Sequence, residues 1–192
     1  RHATGGDGDL EFLKRVFHRL LLNFAWWVNR KDADGHNIFD GGFLGLDNIG
    51  AFDRSAPLPD GWQLQQADAT SWVAAFALKM MRIALELSLH DPVYQDLAAK
   101  FFLHFLEIAA AMTSVANSGV GLWDEQSEFY FDTLVDPKGE VHPLRIFSLV
   151  GLIPLLAVET IEPEMLDRLP EFKETVERTL SEQPEMAKLV SR

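Results

Sequence analysis

Carboxylates set among flat aromatic side chains are the chemistry this sequence offers. Asp47, Asp53, Asp68, Asp124 and Glu125 are interspersed with Phe43, Trp62, Trp72 and Trp123, with the amides of Asn48, Gln65 and Gln66, and with one cation, Arg54. Acids and amides bond hydroxyls, and rings stack on apolar C–H faces, so the set suits a carbohydrate. Glycoside hydrolysis needs two carboxyl groups flanking the scissile bond, one of them kept protonated. The candidate acid is Asp47, in GGFLGLDNIGAFDRS (residues 41–55). Its apolar neighbours Phe43, Leu44, Leu46 and Ile49 would disfavour the charged form by desolvation. The plainer alternatives are that the glycine-rich loop is only a turn and that Trp123-Asp124-Glu125 only begins a strand.

Other chemistries find little support. The chain has no cysteine, hence no thiolate nucleophile, disulfide or Cys-type zinc site. It has no HExxH, GxSxG or Walker pattern, and its glycine loop carries acids without a nearby lysine, a poor phosphate cradle. Asp32-x-Asp34-Gly35-x-Asn37 hints at a calcium loop, but an EF-hand has its glycine sixth, and here it is fourth, as in an ordinary turn. A net charge of −12 argues against nucleic acid and anionic membranes as partners. The longest apolar run, near Leu149–Val158, contains Pro154 and is about half the roughly 20 residues that span a bilayer. With no signal-peptide pattern, the expected location is cytoplasmic. A chain that opens on Arg1 and is glycine-rich at once reads as cut from something longer.

The elements that must position these residues are mostly helical. A composition 47% apolar and 11% aromatic is that of a folded chain. Leu13, Val16, Phe17, Leu20, Phe24, Trp27 and Val28 recur at helical spacing over 10–29, with Asp9 as N-cap. Residues 31–67 are a long irregular segment of the kind that often carries function. Helices are expected over 69–89, capped by Asp68 and buried nearly all round, and over 92–116, with Lys100, His104 and Glu107 as a narrow wet stripe. Because only His90-Asp91-Pro92 joins them, these two run antiparallel. At about 1.5 Å per residue each spans roughly 30–37 Å, which brings both long loops to one end of the domain. Within 117–145 a hairpin is expected, with Phe129, Tyr130, Phe131 and Thr133 favouring a strand and Asp136-Pro137-Lys138-Gly139 a type I turn. A helix kinked at Pro154 is expected over 144–161, and polar helices broken at Pro170 and Pro184 over 163–190.

GGFLGLDNIGAFDRS, together with LQQADATSWVAAFALKMMRIALEL, GLWDEQSEFYFD and LRIFSLVGLIPLLAVE, resembles the catalytic domain of glycoside hydrolase family 63. That family includes processing α-glucosidase I, bacterial α-glucosidases and mannosylglycerate-hydrolase-like enzymes, and large uncharacterised bacterial members are the most similar. The resemblance covers roughly residues 12–172, and GLDNIGAFDRS is its most specific element. It implies an all-α fold, part of an (α/α)6 toroid with a small β-hairpin in one long loop, of which residues 1–192 are a single, incomplete segment. Helices 10–29 and 92–116 would be outer, and 69–89 and 144–161 inner. It also implies hydrolysis of α-glycosidic bonds with inversion, the general acid being the Asp of a Gly-Leu/Met/Trp-Asp-Asn/Asp motif that maps onto Gly45-Leu46-Asp47-Asn48. Phe43, Asn48, Arg54, Gln66, Asp68, Trp123 and Asp124 are the expected substrate-binding residues around it.

The sequence departs from the family in one respect. The family's base is a Glu much nearer the C-terminus, and no matching motif follows residue 162. Inversion places the two carboxyls about 6.5–9.5 Å apart. Asp124 or Glu125 could sit near enough, but the expected base lies outside this chain. The expected function is a segment of an exo-acting α-glucosidase-like hydrolase acting on α-linked oligosaccharides or glycosides, needing no cofactor and no metal. The alternative is a non-catalytic helical module that binds a saccharide or a partner. Expected partners are a saccharide and the remainder of a parent chain, without which exposed apolar helix faces would drive self-association.

Overall fold

The computed structural model describes residues 8–29, 50, 52–113, 121–188 and 190. Phe43, Asp47 and Asn48, and the calcium-like Asp32–Asn37 stretch, lie outside the described residues.

Helix α1 (Leu10–Val28) starts where Asp9 accepts the Phe12 N–H at 2.8 Å, and it buries Phe17, Phe24 and Trp27. Helix α2 (Ala67–Ser88) is apolar around most of its circumference and buries Val73, Ala77, Met80, Met81, Ala84 and Leu85. Its N-cap is Gln66 rather than Asp68, which sits in the first turn. Helix α3 (Tyr94–Thr113) lies back along α2: Ser71, near the start of α2, places its hydroxyl 3.6 Å from the sulfur of Met112, near the end of α3. The two are therefore antiparallel, as their short connection requires. Phe17, Phe24 and Phe101 pack edge to face between α1 and α3, and Phe102 meets Phe172 from a later helix.

The all-α expectation is overturned. The described residues include five strands: β1 (Gln63–Gln65), β2 (Trp123–Asp124), β3 (Phe129–Tyr130), β4 (Asp132–Val135) and β5 (Val141–Leu144). They form a three-stranded antiparallel sheet, β1-β4-β5, and a separate hairpin, β2-β3. The fold is mixed, not an all-α toroid segment. The β4–β5 turn is the expected one, with the Gly139 N–H donating to the Asp136 carbonyl at 2.9 Å and Gly139 at φ +83°. The long-range partner was not foreseen: Gln63, Leu64 and Gln65, from the irregular segment before α2, pair with Val135, Leu134 and Thr133.

The helix expected over 144–161 does not form. Residues 141–144 are strand β5, an edge strand in which Pro143 needs no ladder partner for its missing N–H. A 3₁₀ helix (Leu149–Leu156) follows, with Ser148 accepting the Val150 N–H and Pro154 inside it. Pro154 removes one donor and Gly151 adds the entropic cost of an unbranched backbone, both of which disfavour an α-helix here. Short helices α4 (Pro163–Asp167), α5 (Pro170–Glu182) and α6 (Pro184–Ala187) complete the chain, each opened by its proline. Among the described residues no helix is long and apolar enough to cross a membrane.

Candidate functional site

The start of α2 and the segment after α3 do meet at one end of the domain. The Leu122 N–H donates to the Met112 carbonyl at 2.8 Å, and Leu122, Ala67, Met112, Val135 and Val150 share a small apolar core. At its edge lies a buried charged cluster built from three separate parts of the chain. Arg54 ends the glycine-rich segment, Asp68 sits in the first turn of α2, and Asp132 opens β4.

Asp68 receives both terminal guanidinium nitrogens of Arg54, Nη1 to Oδ2 at 3.1 Å and Nη2 to Oδ1 at 2.5 Å. The third nitrogen, Nε, is 2.8 Å from Asp132 Oδ2. The other Asp132 oxygen accepts the Ala67 N–H at 2.9 Å, one of the donors that a helix start leaves without an intrahelical partner. Arg54, Asp68 and Asp132 are 5%, 0% and 7% exposed, so water does little to screen them. Two carboxylates share one guanidinium. Burial pushes the Asp132 carboxyl up to about 6, opposed by the charge of Arg54 and the Ala67 N–H and reinforced by the negative charge of Asp68. Beside the cluster are buried polar atoms with no hydrogen-bond partner among the described residues: Gln65 Oε1, Thr133 Oγ1 and both amide atoms of Gln66.

A cleft opens against the cluster, lined by Gly50, Phe52, Arg54, Tyr130, Asp132 and Ile146 among others. Its volume is about 20 Å³, room for a water. Among the described residues, this cleft lies directly against the Arg54–Asp132 pair.

Of the expected binding residues, Arg54, Gln66 and Asp68 are brought together here. Trp123 and Asp124 belong instead to the β2-β3 hairpin. The Trp123 ring packs on Tyr130 with centroids 4.8 Å apart. Asp124 Oδ1 accepts the Ser127 N–H at 2.8 Å and Oδ2 receives Arg145 Nε at 3.0 Å, and these contacts, led by Ser127, hold its carboxyl below the ordinary range. The plain reading of Trp123-Asp124-Glu125 as the start of a strand fits this geometry.

The sequence pattern does not single out Asp132, although Phe131 and Thr133 on either side of it favour a strand. The available signal was an acid inside an apolar strand, where Asp is disfavoured unless something pays for its burial. Asp136, Glu140 and His142 place potential ligand atoms within 4.8 Å of one another. There, however, Asp136 Oδ1 already accepts the Lys138 and Glu140 N–H groups and so builds the turn.

No family model matches the chain. It is 48% identical over 189 residues to "Uncharacterized protein YMR196W" of Saccharomyces cerevisiae, an alignment that takes in 93% of this chain and 17% of the yeast protein. The chain therefore spans about a sixth of that relative's length.

Proposed function

We propose that this chain is the acid-bearing segment of an inverting, exo-acting α-glycosidase of the glycoside hydrolase family 63 type. Asp47 protonates the leaving glycosidic oxygen, and a carboxylate outside these 192 residues removes a proton from the attacking water. The substrates are α-linked oligosaccharides or glycosides, α-glucosides first among them. The reaction needs no cofactor, and with no cysteine to protect, the proposed compartment is the cytoplasm.

The observation that carries this reading is the anchoring of Arg54. It lies seven positions after Asp47 in the motif GLDNIGAFDRS and is fixed by Asp68 of α2 and Asp132 of β4. A general acid has to be held to within a fraction of an ångström of its proton acceptor. A fork of buried ion pairs at the end of a glycine-rich loop supplies such a footing, which a loop that merely turned the chain would not require. The reading as a non-catalytic module draws on the carboxylate of Asp124, which is engaged by the Ser127 N–H and by Arg145.

The deciding experiment offers the protein, expressed from its complete reading frame, a panel of α-linked glucosides and mannosides and follows the released sugar by NMR. A β-anomer product that disappears in Asp47→Asn supports the proposal. Saccharide binding without hydrolysis on the whole panel supports the binding module instead.

A further inference from the structure

The 3₁₀ helix turns Val150 and Gly151 inward, against Phe129 and Tyr130. Its other side faces solvent. Phe147, Leu149, Leu152, Leu155, Leu156 and Val158 are 46–70% exposed. The run from 146 to 158 contains no charged side chain, and Ser148 is its one hydroxyl. Six large apolar side chains about half exposed or more within thirteen residues are a concentration that singly scattered surface hydrophobics do not produce.

We infer that this strip is the seat of an apolar face of polypeptide lying outside residues 1–192 in the same longer chain. Its lack of charge calls for an apolar occupant. A second copy is disfavoured because it would bring two bodies of charge −12 together. At the two ends of the run, Arg145 is paired with Asp124 and Glu159 with Lys79. The yeast relative supplies the length, since the region matching 93% of this chain is 17% of that protein. This inference does not depend on the proposed glycosidase activity.

Photo-crosslinking tests it. A benzophenone side chain is placed at Val158 and, in a separate variant, at Leu155, in the protein expressed from its complete reading frame. Both positions are exposed, so neither substitution disturbs the core. Irradiation and peptide mass spectrometry are expected to find links within one chain to sequence outside 1–192 from both positions. Links to a second copy, links confined to residues 1–192, the absence of any link, or a reading frame that ends with these 192 residues would each overturn the inference.

Discussion

Arg54 Nε lies 2.8 Å from Asp132 Oδ2, joining residues 78 positions apart that are both more than nine-tenths buried. The same guanidinium is doubly bonded to Asp68. Removing the cation leaves two buried carboxylates facing each other. Arg54→Met is therefore expected to destabilise the chain by about 3–5 kcal/mol, the usual cost of breaking a buried pair from one side. Arg54→Lys keeps the charge but not the fork, so it cannot serve both acids and falls between the two. Urea unfolding of the three proteins checks the order, and a Lys variant as stable as the parent would refute the fork's importance.

Asp132 gives the cluster a pH dependence of unusual sign. Its folded-state carboxyl is raised from 3.8 to about 6, so between those values the native state holds a proton that the unfolded chain has lost. Stability then falls as pH rises from about 4 to about 6, and levels off above. The span of about two units corresponds to about 3 kcal/mol at most. Asp132→Asn cannot titrate, so the difference in stability between parent and variant should shift in the variant's favour over that window. A difference that stays flat from pH 4 to 7 would contradict this assignment.

Local patterns announced themselves in the sequence, and long-range partners did not. Phe17 and Phe24 with Asp9 fixed α1, and the brevity of His90-Asp91-Pro92 fixed the antiparallel packing of α2 on α3. Leu149–Leu156 is as apolar as a buried helix, and only Gly151 and Pro154 betray that it is 3₁₀. Strand β1 was invisible because its three residues, Gln63, Leu64 and Gln65, become a strand only through β4, about seventy positions on. Arg54 and Asp68 were legible as chemistry, whereas Asp132 shows its role only once β4 delivers it to the start of α2.

Among the described glycines, Gly151 leaves the least room for a side chain. A Cβ there would overlap both the Phe129 ring and the Tyr130 carbonyl, and a backbone atom cannot move aside cheaply. Gly151→Ala is expected to cost about 1–3 kcal/mol by overpacking. Gly139→Ala has open space but a φ of +83°, so it should cost only the left-handed penalty of about 1 kcal/mol. Thermal melts of the two variants separate crowding from backbone strain, and equal losses would show that Phe129 and Tyr130 yield.

Asp47 and Asp124 should differ in kind when each is replaced by Asn. A general acid contributes about 10²–10⁴ in rate, and Asp47→Asn should lose that much on an alkyl glucoside. It should lose far less on a dinitrophenyl glucoside, whose leaving group needs no proton. Asp124 is held ionised by the Ser127 N–H and by Arg145. Its depressed pKa stabilises the fold above its ordinary value of 3.8, and that contribution fades as pH falls further. Asp124→Asn should therefore blunt the acid sensitivity of the β2-β3 hairpin and leave the ratio of rates on the two glucosides unchanged. Steady-state kcat/KM on both substrates checks the pair of expectations. A leaving-group dependence that appears in Asp124→Asn rather than in Asp47→Asn would transfer the acid to the hairpin.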